Sequence, residues 1–111
     1  MPKVLLVDND QGHAERACGC LRFHNLEVDV CRAPERAVAL LRRASADYEV
    51  VILNVSDVLL PWFKTLARLQ EACFQSRGYP SPLFLCSSST KRSPEFELRI
   101  ERMGARYVFE G

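Results

Sequence analysis

The sequence predicts an α/β domain, a doubly wound five-stranded parallel sheet with helices on both faces. Three observations carry that prediction. Short apolar runs recur at residues 4–7, 50–53 and 83–86, and continuous apolar strands belong in a parallel sheet covered by helices. The segments between the strand-like runs place their apolar residues at helical spacing. The two kinds of segment alternate along the chain, which is the pattern of repeated strand–helix–strand units.

In chain order, Lys3–Val7 is the first strand and ends in Asp8-Asn9-Asp10. Asp10 suits the N-cap of a helix from about Gln11 to Phe23, with Ala14, Ala17 or Cys18, and Leu21 inward. Residues 26–31 alternate apolar and polar, as a strand near a sheet edge does. Pro34 opens the second helix, whose inward stripe is Ala37, Leu40, Leu41 and Ala44, with Arg42 and Arg43 at its negative end. The third strand, residues 50–53, reads as buried on both faces and stops at the polar Asn54. A third helix over residues 61–77 carries Phe63, Leu66, Leu69 or Ala67, Cys73 and Phe74, and Gly78 stops it. Residues 83–86 form the fourth strand, and a serine-rich stretch follows. The fourth helix covers residues 94–103, with Phe96, Ile100 and Met103 on one face. Gly104 ends it, and residues 107–109 form the fifth strand. A winding with helices on both faces calls for one further helix. The 1–111 domain is thus expected to be truncated after its fifth strand. Either the protein continues, or that sheet face is covered by another chain or left partly bare.

Composition bounds the function. A chain of 111 residues makes one domain, and 48% hydrophobic with 26% charged residues is a soluble globular composition. Fifteen basic residues stand against fourteen acidic ones, for a net charge of +1, which argues against a nucleic-acid surface. No apolar run approaches the ~20 residues that span a bilayer. Met1-Pro2-Lys3 leads straight into a strand with no signal peptide, so the expected compartment is the cytoplasm. Five cysteines form no CxxC pair. Cys18 and Cys20 point in different directions on a helix, while Cys31 and Cys86 are expected as buried, reduced thiols. His13 and His24 lie outside zinc-finger spacings and are expected at the surface.

The stretches Val4-Leu5-Leu6-Val7-Asp8-Asn9-Asp10, Asn25-Leu26-Glu27-Val28, Ala37-Val38-Ala39-Leu40-Leu41, Tyr48-Glu49-Val50-Val51-Ile52-Leu53-Asn54-Val55-Ser56 and Gly104-Ala105 carry more than a fold class. In this order and spacing the chain resembles the CheY-like receiver domain of two-component response regulators over nearly its whole length. The resemblance implies a flavodoxin-like sheet and a phosphoryl group passed from a histidine kinase to an aspartate ending the third strand. It also implies Mg²⁺ held by that aspartate and two acidic residues after the first strand. A hydroxyl after the fourth strand and a lysine after the fifth contact the phosphate. Carried onto this sequence, the acceptor position is Asn54, the acidic pair is Asp8 and Asn9, the hydroxyl is Ser87 and the lysine position is Gly111. The aromatic switch position is Val108, with Tyr107 and Phe109 beside it.

The implied chemistry is therefore mostly lost. An acyl phosphate needs a carboxylate nucleophile, which the Asn54 amide is not. Mg²⁺ wants hard anionic oxygens, and with Asn at positions 9 and 54 only Asp8 and Asp10 remain as weak alternative ligands, so no cofactor is expected. Leu59, Leu60, Trp62 and Phe63 follow as an apolar cluster, either packed around a shifted third helix or exposed, with Val108 of the fifth strand, for a partner. The run Ser87–Ser93, with Lys91 and Arg92, is a linker or an anion cradle at a helix start.

The expected function is a phosphorylation-independent pseudo-receiver, not an enzyme, that binds a protein partner. A histidine kinase or a neighbouring effector domain is the natural candidate, and a homodimer is open. The alternative is a working phosphotransfer receiver using a non-standard aspartate, Asp8, Asp10 or Asp57. A thiol-redox module is a third reading.

Overall fold

The computed structural model describes residues 3–56, 61–75 and 82–110. Five parallel strands form one sheet in the order β2-β1-β3-β4-β5. They are β1 (Lys3–Val7), β2 (Glu27–Cys31), β3 (Val50–Asn54), β4 (Leu83–Ser88) and β5 (Arg106–Phe109). Four α-helices connect them: α1 (Gln11–Phe23), α2 (Pro34–Ala44), α3 (Trp62–Gln75) and α4 (Pro94–Arg102). A short 3₁₀ turn, Ser45–Asp47, follows α2 and has no counterpart in the sequence reading. The edge position expected for β2 is the one observed.

Local chemistry explains where the helices begin and end. Asp10 caps α1 by accepting the His13 N–H at 3.1 Å, and Ser93 caps α4 by accepting the Phe96 N–H at 3.3 Å. Proline stands at the start of both α2 and α4. The helices α1 and α4 stop in the same way. The Leu26 N–H bonds back to the Leu21 carbonyl, and the Ala105 N–H to the Ile100 carbonyl, around a left-handed residue. That residue is Asn25 (φ 63°) after α1 and Gly104 (φ 84°) after α4.

Two apolar layers flank the sheet. On one side α2, α3 and α4 bury Leu5, Val7, Val51, Leu53, Phe84 and Cys86 against Leu41, Leu66, Leu69 and Ile100. On the other, α1 alone covers Val4, Leu6 and Val28 with Ala14 and Cys18. This asymmetry corrects two expectations. The third strand is not buried on both faces: Val50 and Ile52 are half-buried because α1 lies towards β1 and β2 and leaves their side thinly covered. Phe74 does not face inward but is 86% exposed, because Leu66, Leu69, Ala72 and Cys73 fill the inner stripe of α3.

Cys18, Cys31, Cys73 and Cys86 are buried, and Cys20 is exposed. Burial raises the Cys73 thiol to about 11 and the Cys86 thiol to about 12, so neither supplies the thiolate that redox chemistry uses.

The packing makes a direct prediction about stability. Leu66→Ala, at a fully buried site, should lower the unfolding free energy by about 2–5 kcal/mol. Phe74→Ala should change it by less than about 0.5 kcal/mol. Urea denaturation followed by circular dichroism measures both, and equal losses would contradict the assigned inner face of α3.

Candidate functional site

Parallel strands in this order bring their carboxyl ends to one edge, with the change of winding direction between β1 and β3. Asp8 follows β1 there, Asn54 ends β3, Ser87 lies beside Asn54 in the β4 register, and Glu110 follows β5. Side chains two apart on a strand share a face. Asp8 therefore continues the side of Val4 and Leu6, which is the side of α1.

Asp8 is the hub. It is 2% exposed, the one buried carboxylate among the described residues. Its Oδ1 accepts the Asp10 backbone N–H at 2.9 Å and the Asn54 Nδ2–H at 2.9 Å. Its Oδ2 accepts a short hydrogen bond from His13 Nδ1. The Asn54 amide is oriented by partners of opposite kind: its nitrogen donates to the carboxylate, and its oxygen accepts the Ser56 N–H at 3.0 Å. A buried charge survives only when paired and hydrogen-bonded, and Asp8 is both.

His13 supplies the counter-charge. Its first-turn position on α1, set by the Asp10 cap, turns the ring to the sheet edge. There Nε2 donates to Glu110 Oε2 at 2.7 Å while Nδ1 donates to Asp8. Both carboxylates can be satisfied at once only when the ring is protonated, as an imidazolium. Burial opposes its charge, but the hydrogen bonds to Asp8 and Glu110 prevail and hold its pKa above the ordinary value.

This arrangement corrects the placing of His13 at the surface, since its side chain is 13% exposed and at the centre of the site. His24 is exposed, as expected. Glu110 was not among the candidates either. Among the described residues it is the group delivered from the end of β5, and it is acidic; Gly111, named for the lysine position, lies outside them. The available signal was the two-residue alternation of β5, which sets 106, 108 and 110 on one face.

The other candidates fall into three groups. Asp10 belongs to the site through its backbone, while its side chain caps α1. Asn9 is exposed and lines a cavity of about 90 Å³ with Arg32, Trp62 and Thr65. Ser87 is 3% exposed, and its Oγ meets no hydrogen-bond partner among the described residues. Trp62 and Phe63 are half-buried in an aromatic row. Trp62 packs on Phe96 at 4.5 Å between centroids, Phe96 on Tyr107 at 5.8 Å, and the Arg99 guanidinium lies 4.1 Å from the Phe63 centroid. Val108 is 42% exposed on the α1 side. Leu59, Leu60 and Asp57 lie outside the described residues. In the serine-rich stretch Ser93 caps α4, Thr90 N–H donates to Ser88 Oγ, and Arg92 lies 4.3 Å from the Phe96 centroid.

The donor set does not fit Mg²⁺, which requires several anionic or carbonyl oxygens in near-octahedral order. Both Asp8 oxygens are engaged, Asn54 turns its NH₂ inward, and a cationic ring already neutralises the carboxylate. No three His, Cys, Asp or Glu side chains among the described residues are grouped for a metal.

The same fold occurs in response-regulator receiver domains. The receiver domain of the Francisella response regulator 1452 superposes with a TM-score of 0.76 at 18% identity, covering 99% of this chain and 84% of that one. The Vibrio cholerae chemotaxis protein CheY4 gives 0.74 at 22% identity over 99% and 87%. An orphan response regulator of H. pylori, HP1043, gives 0.70 at 21% identity over 98% and 82%. No protein-family model and no curated protein sequence matches the chain.

The raised His13 pKa fixes the sign of a pH effect. A folded-state pKa above the unfolded ~6.5 gives stability that is fully present below that value. It is lost as pH rises through the folded pKa. Unfolding free energy should therefore fall as pH rises above about 6.5, and His13→Gln should flatten that fall. At pH 6 the substitution should cost about 1.5–3 kcal/mol, as loss of hydrogen bonds to charged groups does. Urea titrations across pH 5.5–9 check this, and an unchanged slope would exclude the ion pair.

Proposed function

We propose that this chain is a receiver-like signalling module that acts by binding a protein partner, with no acyl phosphate in its cycle. The observation carrying this reading is the Asn54 amide, which donates to Asp8 at the place where a nucleophilic carboxylate is required. The surroundings support it. Glu110 brings negative charge from the end of β5, where a transferred phosphoryl group needs a cation. When protonated, His13 is a cation whose nitrogens are both held by Asp8 and Glu110.

The partner reading follows from what remains: a frame without a nucleophilic carboxylate, which holds one conformation or shifts on binding a partner. A histidine kinase or a neighbouring effector domain is the partner class that the likeness to receiver domains suggests. The balanced charge of +1 speaks for a protein over nucleic acid. No helix among the described residues is long and apolar enough to cross a membrane.

The phosphotransfer alternative requires a free aspartate. Asp8 has both oxygens occupied and Asp10 is spent on the α1 cap, which disfavours each as nucleophile.

Intact mass after incubation with Mg²⁺ and a small acyl-phosphate donor tests the reading. The native chain should gain no phosphoryl group. The triple variant Asn9→Asp, Asn54→Asp, Glu110→Lys serves as the positive control for donor and frame. A phosphoryl group on the native chain overturns the proposal, and peptide mapping should then look first at Asp57 and Asp10.

A further inference from the structure

The sheet is open along β2, which pairs with β1 alone. The Asp8 N–H donates to the Cys31 carbonyl at 3.0 Å. Residues 27, 29 and 31 therefore turn their backbone groups towards β1, and Val28 and Val30 turn theirs to the open edge. Arg22 of α1 marks the same direction, its Nη2 donating to the Val28 carbonyl at 3.4 Å. Val30 is 40% exposed. Grooves run on both sides of the strand. One, of about 700 Å³, lies over Val28, Val30 and Leu40, between Arg22 and the α2 residues Arg36 and Arg43. The other, of about 410 Å³, lies over Ala14, Cys18 and Val30, between Arg22 and Arg32.

We propose that the β2 edge takes up an extended acidic segment of a partner protein as a sixth strand. The inference rests on the binding role proposed above and names its surface and the chemistry of its partner.

Two features select that occupant. The first is the ladder. Val28 and Val30 offer outward N–H and C=O groups in the pattern that a neighbouring strand satisfies, and β2 contains no proline to interrupt it. A further helix of the same winding would follow β5, at the opposite end of the strand order, so the fold itself leaves this edge open. The second feature is charge. Arg22, Arg32, Arg36 and Arg43 are exposed, and none has an ion-pair partner among the described residues. Of the acidic groups on β2 and the facing wall of α1, Asp29 is held by Lys3 and Tyr48. Glu15 and Glu27 remain against the four arginines. Acidic side chains on an arriving strand complement that excess, and basic ones oppose it. A second copy pairing edge to edge would set its own arginines against these, the arrangement by which charged side chains keep edges apart.

The test titrates the protein with two fluorescent peptides of about eight residues, one alternating Val with Glu and one alternating Val with Lys. Anisotropy reads affinity, and amide hydrogen exchange followed by NMR reads location. The Glu peptide should bind at least about tenfold tighter than the Lys peptide. It should slow exchange of the Val28 and Val30 N–H groups and leave the β5 amides unchanged. Arg36→Glu with Arg43→Glu should reverse the preference. Val30→Pro removes an outward N–H while sparing the ladder to β1, and it should abolish binding. The Glu peptide with methylated backbone nitrogens cannot form a ladder, and it repeats that test should Val30→Pro unfold.

Absence of binding, equal affinity for the two peptides, or unprotected Val28 and Val30 amides overturns the proposal. So does undiminished binding by folded Val30→Pro or of the methylated peptide, since the arginines alone would then hold the segment. A concentration-dependent dimer in sedimentation that Val30→Pro dissociates also overturns it, because a second copy would then occupy the edge. Phosphoryl uptake by the native chain would remove the functional reading without touching this titration, so the two failures are separable.

Discussion

A carboxylate buried to 2% exposure is the constraint to which this sheet edge answers. Asp8 stripped of water is costly unless every oxygen is satisfied and its charge is met. The chain meets that demand with a backbone N–H two residues on, an amide from β3 and an imidazolium from α1. Each donor comes from a different element, so the ends of β1 and β3 and the start of α1 are held in one arrangement. Removing any donor leaves a buried acceptor short, which costs more than the bond contributes when formed.

The same constraint shapes the chemistry. A pocket that holds a metal keeps its carboxylates mutually repelled until the ion arrives. This one carries its cation covalently, on the chain itself, as the His13 ring. Glu110 takes the far nitrogen and adds a second carboxylate. Even with His13 protonated, the two carboxylates outnumber the one cation and leave a net negative charge, a condition ill suited to accepting a dianion.

Much of the fold could be read from the sequence because its signals are local. The Asp10 cap and the apolar spacing fix α1, and the Pro-opened α2 and Gly-terminated α4 are equally plain. Misplacements arose where tertiary coverage decides. An apolar run like Val50–Asn54 announces burial but not on how many faces, and the stripe of α3 has more apolar residues than its inner face can take, leaving Phe74 outside. Of the site, Asp8, Asp10 and Asn54 were readable because strand ends recur in sequence order. His13 and Glu110 were not, because the alternation of β5 gives the face of Glu110 but not its meeting with a residue 97 positions away.

That separation has a consequence for how the molecule assembles. The Asp8–His13 pair spans five residues and can form as soon as β1 and α1 meet, whereas Glu110 meets the ring from 97 residues away. Loop closure over such a distance is among the slow, late events of folding. The contact that ties β5 to α1 at the sheet edge is thus the longest-range side-chain hydrogen bond among the described residues, and by loop length the last expected to form.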